Sequence, residues 1–330
     1  MARIVRFHQL GGPEVLKFEE IPAQQPGKGE VRLRVQASGL NRAELLYMHG
    51  RYLEQPQLPS RLGYEVAGVV EAVGEGVDPS WMGKKAATVP GFSQNRYGTL
   101  GEVAVVPGSV LAEYPPNLSP AQAASIWMQY VTAYGALVHF GKLQAGDFVS
   151  IPAASSSVGL AAIQIVRDFG ATAIAVTRTS AKRQELLDLG AHHVIASQEE
   201  DYVQRIQEIT GGNGVRLTFD PVAGPFAEKL VAAASPGGVV FEYGLLSGEP
   251  TPFPLVDALR KGVAMRGYTL HELTQNPPAG EAARKYIYER LADGRFVTKI
   301  AKTFPFEQTA EAYRYLESNQ QVGKVVITVP

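Results

Sequence analysis

Phe148-Val149-Ser150-Ile151-Pro152-Ala153-Ala154-Ser155-Ser156-Ser157-Val158-Gly159 opens the stretch that decides the fold, and it runs on to Ala173-Ile174-Ala175-Val176-Thr177-Arg178. The first four residues are an apolar run of strand length. A turn of small residues follows, then an amphipathic helix expected from Leu160 to Asp168. Gly170 ends the helix, and the second apolar run is another strand. Strand, tight turn, helix and parallel strand make a βαβ unit. The first amides of a helix are unpaired and its dipole is positive there, so this turn is suited to an anion such as a dinucleotide pyrophosphate. Only the last glycine of the G-x-G-x-x-G pattern is kept, as Gly159; Ala154 and Ser156 or Ser157 stand where bare backbone is usual. Small residues still allow close approach, and serine hydroxyls donate hydrogen bonds. Ser155, Ser156, Ser157, Val158 and Gly159 are therefore the candidate pyrophosphate site. An ordinary βα turn without a ligand is the competing reading.

The end of the second strand bears on the cofactor. NAD sites place a carboxylate there to hold the ribose 2′-hydroxyl. This chain has Thr177-Arg178-Thr179-Ser180-Ala181-Lys182-Arg183 instead. Guanidinium, ammonium and hydroxyl groups attract a 2′-phosphate that a carboxylate would repel. Arg178, Ser180 and Lys182 are thus expected to select NADPH over NADH. Alternatively, Ser180 caps the next helix, with Lys182 and Arg183 on its solvated face. The two readings are compatible.

The chain's 330 residues suffice for two domains. A hydrophobic content of 45% and a charged content of 19% suit a globular enzyme. The net charge of −1 gives no electrostatic case for nucleic acid or an anionic membrane. No apolar run reaches the roughly 20 residues of a membrane helix, and the N-terminus lacks a signal-peptide core. There is no cysteine, which removes disulfides, thiolate metal sites and thiol nucleophiles, and fits a reducing cytoplasm.

Three regions follow one another. Val-alternating segments such as Glu30-Val31-Arg32-Leu33-Arg34-Val35 mark a β-rich first part. The prolines of Pro115-Pro116-Asn117-Leu118-Ser119-Pro120 mark a hinge. Beyond it strands and helices alternate. Strands are expected at Phe148-Ile151, Ala173-Val176, His193-Ile195, Val215-Phe219, Val239-Tyr243 and Ala264-Gly267, and helices near Lys182-Leu189 and Val203-Ile209. That count suits an α/β fold with a six-stranded, doubly wound parallel sheet. The last part ends in a strand, Lys324 to Val329. The expected arrangement is a dinucleotide-binding domain, 121–264, inserted into a β-rich domain of residues 1–120 plus 265–330.

Collinear motifs extend the reading. They include Gly12-Pro13-Glu14-Val15-Leu16, Ala37-Ser38-Gly39-Leu40-Asn41-Arg42-Ala43-Glu44 and Leu58-Pro59-Ser60-Arg61-Leu62-Gly63-Tyr64-Glu65-Val66-Ala67-Gly68. Further on stand Gln129-Tyr130-Val131-Thr132-Ala133-Tyr134-Gly135 and Gly323-Lys324-Val325-Val326. Together with the serine-rich turn they resemble the medium-chain dehydrogenase/reductase superfamily. Within it they resemble the zinc-independent quinone oxidoreductase branch, which includes zeta-crystallin and enoyl reductases. The resemblance implies a GroES-like β-rich catalytic domain, a Rossmann domain and a homodimer, with edge-to-edge pairing of the cofactor sheets as one way to form it.

The same comparison bears on metal. Zinc-dependent relatives carry a Cys and a His where this chain has Asn41 and Tyr64, and their four-cysteine lobe is missing. Zinc needs three or four N, S or O ligands in tetrahedral array. His192 and His193 are neighbours on a strand and point to opposite faces, so they do not chelate one ion. No zinc is expected. Glu65 is left with a structural role, in a pair with an arginine or as a brace for the cleft.

Without a Lewis acid a simple ketone is poorly polarised, whereas a quinone or conjugated enone delocalises arriving charge into oxygen. The expected activity is therefore reduction of quinones or α,β-unsaturated carbonyls with NADPH. The alternatives are a zinc-independent carbonyl/alcohol dehydrogenase, which reduces simple carbonyls without metal, and a non-catalytic NADPH-binding protein like the lens crystallins of this branch. The resemblance makes Tyr52 the proton donor, or else an aromatic wall of the pocket. It makes Asn41 a positioning group near the nicotinamide. Tyr64 lines the substrate pocket or is simply packed, and Tyr268 sits at the cleft mouth. Thr132 lies near the nicotinamide, and Gly244 and Leu245 contact the cofactor from the carboxyl end of a strand. Lys324 closes over the cofactor, or is a charge on an edge strand.

Overall fold

All six apolar runs expected of the central region pair into one parallel sheet. The computed structural model describes residues 1–330, and this sheet runs His193–Ala196, Thr172–Thr177, Phe148–Pro152, Val215–Asp220, Ala234–Glu242, Ala264–Gly267. In chain order that is 3-2-1-4-5-6, the doubly wound Rossmann arrangement. Its strands are apolar on both faces because helices cover both. On one face Ile174, Val176, Ile195 and Val240 pack with Tyr202, Ile206, Leu230 and Val231 from two helices, Tyr202–Thr210 and Phe226–Ala233.

The β-rich part builds a seven-stranded sheet. Its path is Ile300–Pro305, Lys324–Thr328, Glu30–Gly39, Glu65–Val73, Lys85–Thr88, Leu111–Ala112, with Val103–Pro107 also paired to Glu30–Gly39. A three-stranded sheet of Leu16–Ile21, Ala2–Phe7 and Ser60–Arg61 accompanies it. The C-terminal strand pairs antiparallel to Glu30–Gly39, with Val326 opposite Gly39, so both chain ends belong to one unit. The Rossmann region is thus an insertion in a GroES-like β-rich fold.

Contacts divide the chain into Met1–Met128 with Tyr288–Ala292 and Val297–Pro330, and Gln129–Ile287 with Asp293–Phe296. These limits differ from residues 120 and 264. Met128 stays with the first unit because its amide donates to Glu65, 3.0 Å away. Residues 265–287 stay with the second because Ala264–Gly267 completes the parallel sheet and the Tyr286 hydroxyl donates to Asp168, 2.7 Å away. The helix expected from Leu160 begins earlier, at Ser157, because Ser156 caps it. No helix is long and apolar enough to cross a membrane.

Candidate active site residues

The expected site residues fall into two constellations, one in each unit. In the Rossmann unit the serine-rich turn lies between the strand Phe148–Pro152 and the helix Ser157–Asp168. Ala153 opens it at φ +50°, a left-handed conformation that glycine adopts without strain and alanine does not. Ser156 is the N-cap, its Oγ accepting from the Gly159 amide at 3.0 Å. A Cβ on Gly159 would lie 2.6–2.8 Å from the Ala154 backbone, so the helix packs this closely only because residue 159 has no side chain.

Lys182 links the basic rim to this turn: its Nζ donates to Ser155 Oγ at 3.2 Å. Burial, then the neighbouring charge of Arg178, lowers the Lys182 pKa. Two cations held side by side at the rim, one of them partly desolvated, favour an anion. Arg178 is exposed. Ser180 does not cap the following helix. Its amide donates to Glu199 Oε1 at 3.1 Å, and Thr179 stands at the N-cap without a side-chain bond. Arg183 is not on a solvated face either: it donates to the Val194 carbonyl at 2.7 Å and pairs with Glu200.

Thr132 is buried on the helix Trp127–Tyr134. Gly244 follows the strand Ala234–Glu242, and a Cβ there would meet the Pro221 carbonyl at 2.6 Å. Leu245 beside it is exposed. Tyr268 is not at a cleft mouth. It is 2% exposed, its ring packs edge-on against Phe140 and Phe241, and a Cβ on Gly135 would lie 1.9 Å from its hydroxyl. The absence of a side chain at Gly135 makes the room that draws this tyrosine inward.

One feature of this unit escaped sequence reasoning. Asp220 and Glu242 end adjacent parallel strands as direct register partners. Asp220 accepts from the amides of Val222 and Ala223, both at 2.9 Å. Both oxygens of Glu242 are buried with no hydrogen-bond donor on them, and its strand register places the carboxyl beside that of Asp220. Burial, then the Asp220 charge, pushes Glu242 up to about 8. The available signal was a glutamate closing the apolar run Val239-Val240-Phe241-Glu242.

In the β-rich unit the decisive group is Lys324. Its ammonium donates to Glu65 Oε2 and to Asn41 Oδ1, both at 2.6 Å, and the paired side chains are 1% and 0% exposed. Lys324 is therefore neither an edge-strand charge nor free to close over a ligand, and Glu65 pairs with a lysine rather than an arginine. Asn41 is the N-cap residue of the helix Arg42–Met48. Its Nδ2 donates to the Gly39 carbonyl at 3.0 Å and to Glu44 Oε1 at 3.2 Å, so its amide is committed within the fold.

Glu44 was also missed, although Asn41-x-x-Glu44 is a capping-box spacing. It is fully buried and accepts from the Asn41 amide, the Tyr64 amide and the Tyr313 hydroxyl. Burial pushes its pKa up. Tyr64 is 3% exposed against Phe92, and its hydroxyl and that of half-buried Tyr52 interact. Burial, above all, raises both phenol pKa values, so both stay protonated at neutral pH. The loop that carries Tyr52 is pinned. Glu54 accepts from the Gln94 amide and Asn95 Nδ2, while Asn95 Oδ1 accepts from the Gln57 amide and the Tyr47 hydroxyl. No three His, Asp or Glu side chains come together as a metal site.

Comparison with known proteins agrees with this architecture. Residues 27–116 match the family model of the alcohol dehydrogenase GroES-like domain, and residues 157–282 match that of zinc-binding dehydrogenases. A 2-haloacrylate reductase of a Burkholderia species is 29% identical over 99% of this chain and 98% of its own length. The human quinone oxidoreductase is 30% identical over 99% of this chain and 98% of its own length. The crystal structure of Escherichia coli quinone oxidoreductase complexed with NADPH superposes with a TM-score of 0.90, at 28% identity, covering 99% of each chain.

Lys324→Met would leave Glu65 charged and unpaired, and is expected to cost about 3–5 kcal/mol of unfolding free energy. Adding Glu65→Gln should recover much of that loss in denaturant titrations. Simply additive losses would show that the pair is not coupled.

Proposed function

The chain belongs to the medium-chain dehydrogenase/reductase superfamily, and we propose that it is an NADPH-dependent reductase of quinones or α,β-unsaturated carbonyls. When bound, NADPH supplies the hydride from its reduced ring. Ser155 to Gly159 would hold the pyrophosphate at the amides of the capped helix. Arg178 and Lys182 would hold the 2′-phosphate, with the Ser180 hydroxyl beside them. Thr132, Gly244 and Leu245 would bound the ring. The fit rests on the glycine-narrow approach at Gly159 and on the Lys182–Ser155 bond that joins rim to turn.

One observation carries the choice of acceptor. The positions that hold zinc ligands in the metal-dependent relatives are Asn41 and Tyr64 here, and the adjacent carboxylate, Glu65, is spent on Lys324. That donor set does not suit zinc. An acceptor that delocalises its own charge needs no such Lewis acid. Tyr52, protonated and held on a pinned loop, would aim its hydroxyl proton at the acceptor oxygen or carbon, with Tyr64 beside it; water is the alternative donor. Asn41 and Lys324 are committed to each other, and Lys324 also to Glu65, inside the β-rich unit, so neither is assigned a contact with the acceptor. A relative named for reducing a 2-haloacrylate, itself a conjugated alkene, supports this substrate class.

A homodimer is proposed through the outer strand Ala264–Gly267. It is one of the two edges of the parallel sheet, next to a helix, Leu255–Lys261, that exposes Leu255, Val256 and Leu259. Sedimentation should report a dimer, and Leu259→Arg should shift it toward monomer; a wild-type monomer at micromolar concentration would refute the proposal.

The function is tested by following NADPH oxidation with 2-cyclohexenone and a small quinone. Both should be reduced, cyclohexanone should not, and chelators should change nothing. Tyr52→Phe should lower kcat by about 10²-fold while NADPH affinity holds. Loss of activity on chelation, restored by zinc, would overturn the metal-free reading.

Arg178→Ala with Lys182→Ala should weaken NADPH binding by about 10²-fold or more and leave NADH nearly unaffected, since only 2′-phosphate contacts are lost. Equal losses for both cofactors would remove these residues from the phosphate site.

A further inference from the structure

We propose that Asp220 and Glu242 share one proton, and that this proton makes the chain's preference between NADP⁺ and NADPH depend on pH. The inference rests on the cofactor reading above and gives Glu242 a positioning role that reading does not assign. It begins from geometry. The two carboxyls end neighbouring strands in direct register, at the carboxyl edge where ligands of open α/β sheets bind. Gly244 and Leu245, the proposed cofactor contacts, follow Glu242 within three residues.

The two acids are not equivalent. Asp220 is clamped by two backbone amides, which stabilise its charge. They belong to a tight turn in which Ala223 adopts φ +58°. Glu242 has no such donors: both its oxygens are buried and unpartnered, beside the carboxyl of its register partner Asp220. Two buried like charges cannot both stay ionised cheaply, so the proton resides on Glu242 and points at Asp220.

No cation acts on either carboxyl. The groups around them are weak acids or neutral. On the same strand end is the Tyr243 phenol, which stacks on Phe219 with 4.0 Å between centroids and whose buried hydroxyl has no hydrogen-bond partner. From the helix Tyr202–Thr210 comes the Tyr202 hydroxyl, 2.8 Å from Ser150 Oγ. From the outer strand, Arg266 is turned to Glu272 at 2.6 Å, and the Tyr268 amide donates to the Glu242 carbonyl. Nothing nearby neutralises a second negative charge.

The oxidised nicotinamide ring is a cation and the reduced ring is neutral. Binding the cation favours ionised Glu242, so the proton leaves to solvent; departure of NADP⁺ takes it back. Binding the neutral ring asks for no proton change. With Glu242 at about 8 in the free protein, NADP⁺ affinity should rise with pH up to that value and level off above it. The 2′-phosphate and Lys182 titrate alike for both cofactors, so they cancel in the ratio of the two dissociation constants.

The test measures Kd for NADP⁺ and for NADPH by calorimetry from about pH 6.5 to 9, with wild-type protein and Glu242→Gln. In wild type the ratio should move toward NADP⁺ by about three- to tenfold, and in the variant it should stay flat. A flat wild-type ratio, or the same change in Glu242→Gln, overturns the inference. Thermal melts of ligand-free protein test the pair separately. A carboxyl raised from about 4.3 in the unfolded chain to about 8 when folded makes stability fall as pH rises across that window. Glu242→Gln should abolish that fall, and a variant that melts in parallel with wild type counts against the shared proton. If neither cofactor binds at any pH while the melts behave as expected, the cofactor reading fails, and with it the linkage.

Discussion

A buried ammonium and a buried carboxylate, Lys324 and Glu65, anchor the β-rich unit. Burying either alone would cost several kcal/mol, so each requires the other. Their partners explain the sequence around them. Gly39 is bare because a Cβ would strike the Ala124 carbonyl at 1.9 Å and the Lys324 side chain at 2.7 Å. Gly323 takes φ +104° beside the Lys299 carbonyl, which lets the last strand enter the sheet with its first residue pointing inward. The Asn41 oxygen completes the pocket for the ammonium, and Asn41 in turn starts the helix Arg42–Met48. Glu65 also receives the Met128 amide, so the same carboxylate fixes the limit of the unit.

This arrangement separates structural polar groups from those open to chemistry. Asn41, Glu44 and Tyr313 satisfy one another inside the fold. Tyr52 is different: it is only half-buried, on a loop that Glu54 and Asn95 fasten down. Its position is held by neighbours while its hydroxyl is committed to no backbone group. In the Rossmann unit the same division holds. Arg183 and Glu200 knit strand to helix, whereas Arg178 remains exposed beside Lys182.

Much of the fold was legible because its signals are local. Six apolar runs became six parallel strands, since a strand buried on both faces must be apolar throughout. Gly159 was readable because close helix packing excludes any side chain there. The arrangement of polar groups was less so. Lys324 meets Glu65 across 259 positions of sequence and Asn41 across 283. No periodicity encodes such a meeting. Ser180 read as a cap because serine commonly caps, but Glu199, 19 residues later, takes its amide instead. The resemblance places Tyr268 at a rim, but the space left by Gly135 takes its hydroxyl inward, and nothing local to residue 268 signals that. Asp220 and Glu242 are 22 residues apart and become neighbours only through strand register.

The seclusion of Lys324 has a chemical corollary. Quinones and enones are Michael acceptors, which alkylate thiols first and amines more slowly. This chain has no thiol, and its most central amine is locked in an ion pair out of solvent. An acceptor of the proposed class would find no nucleophile in the buried heart of the β-rich unit, only lysines and histidines at its periphery.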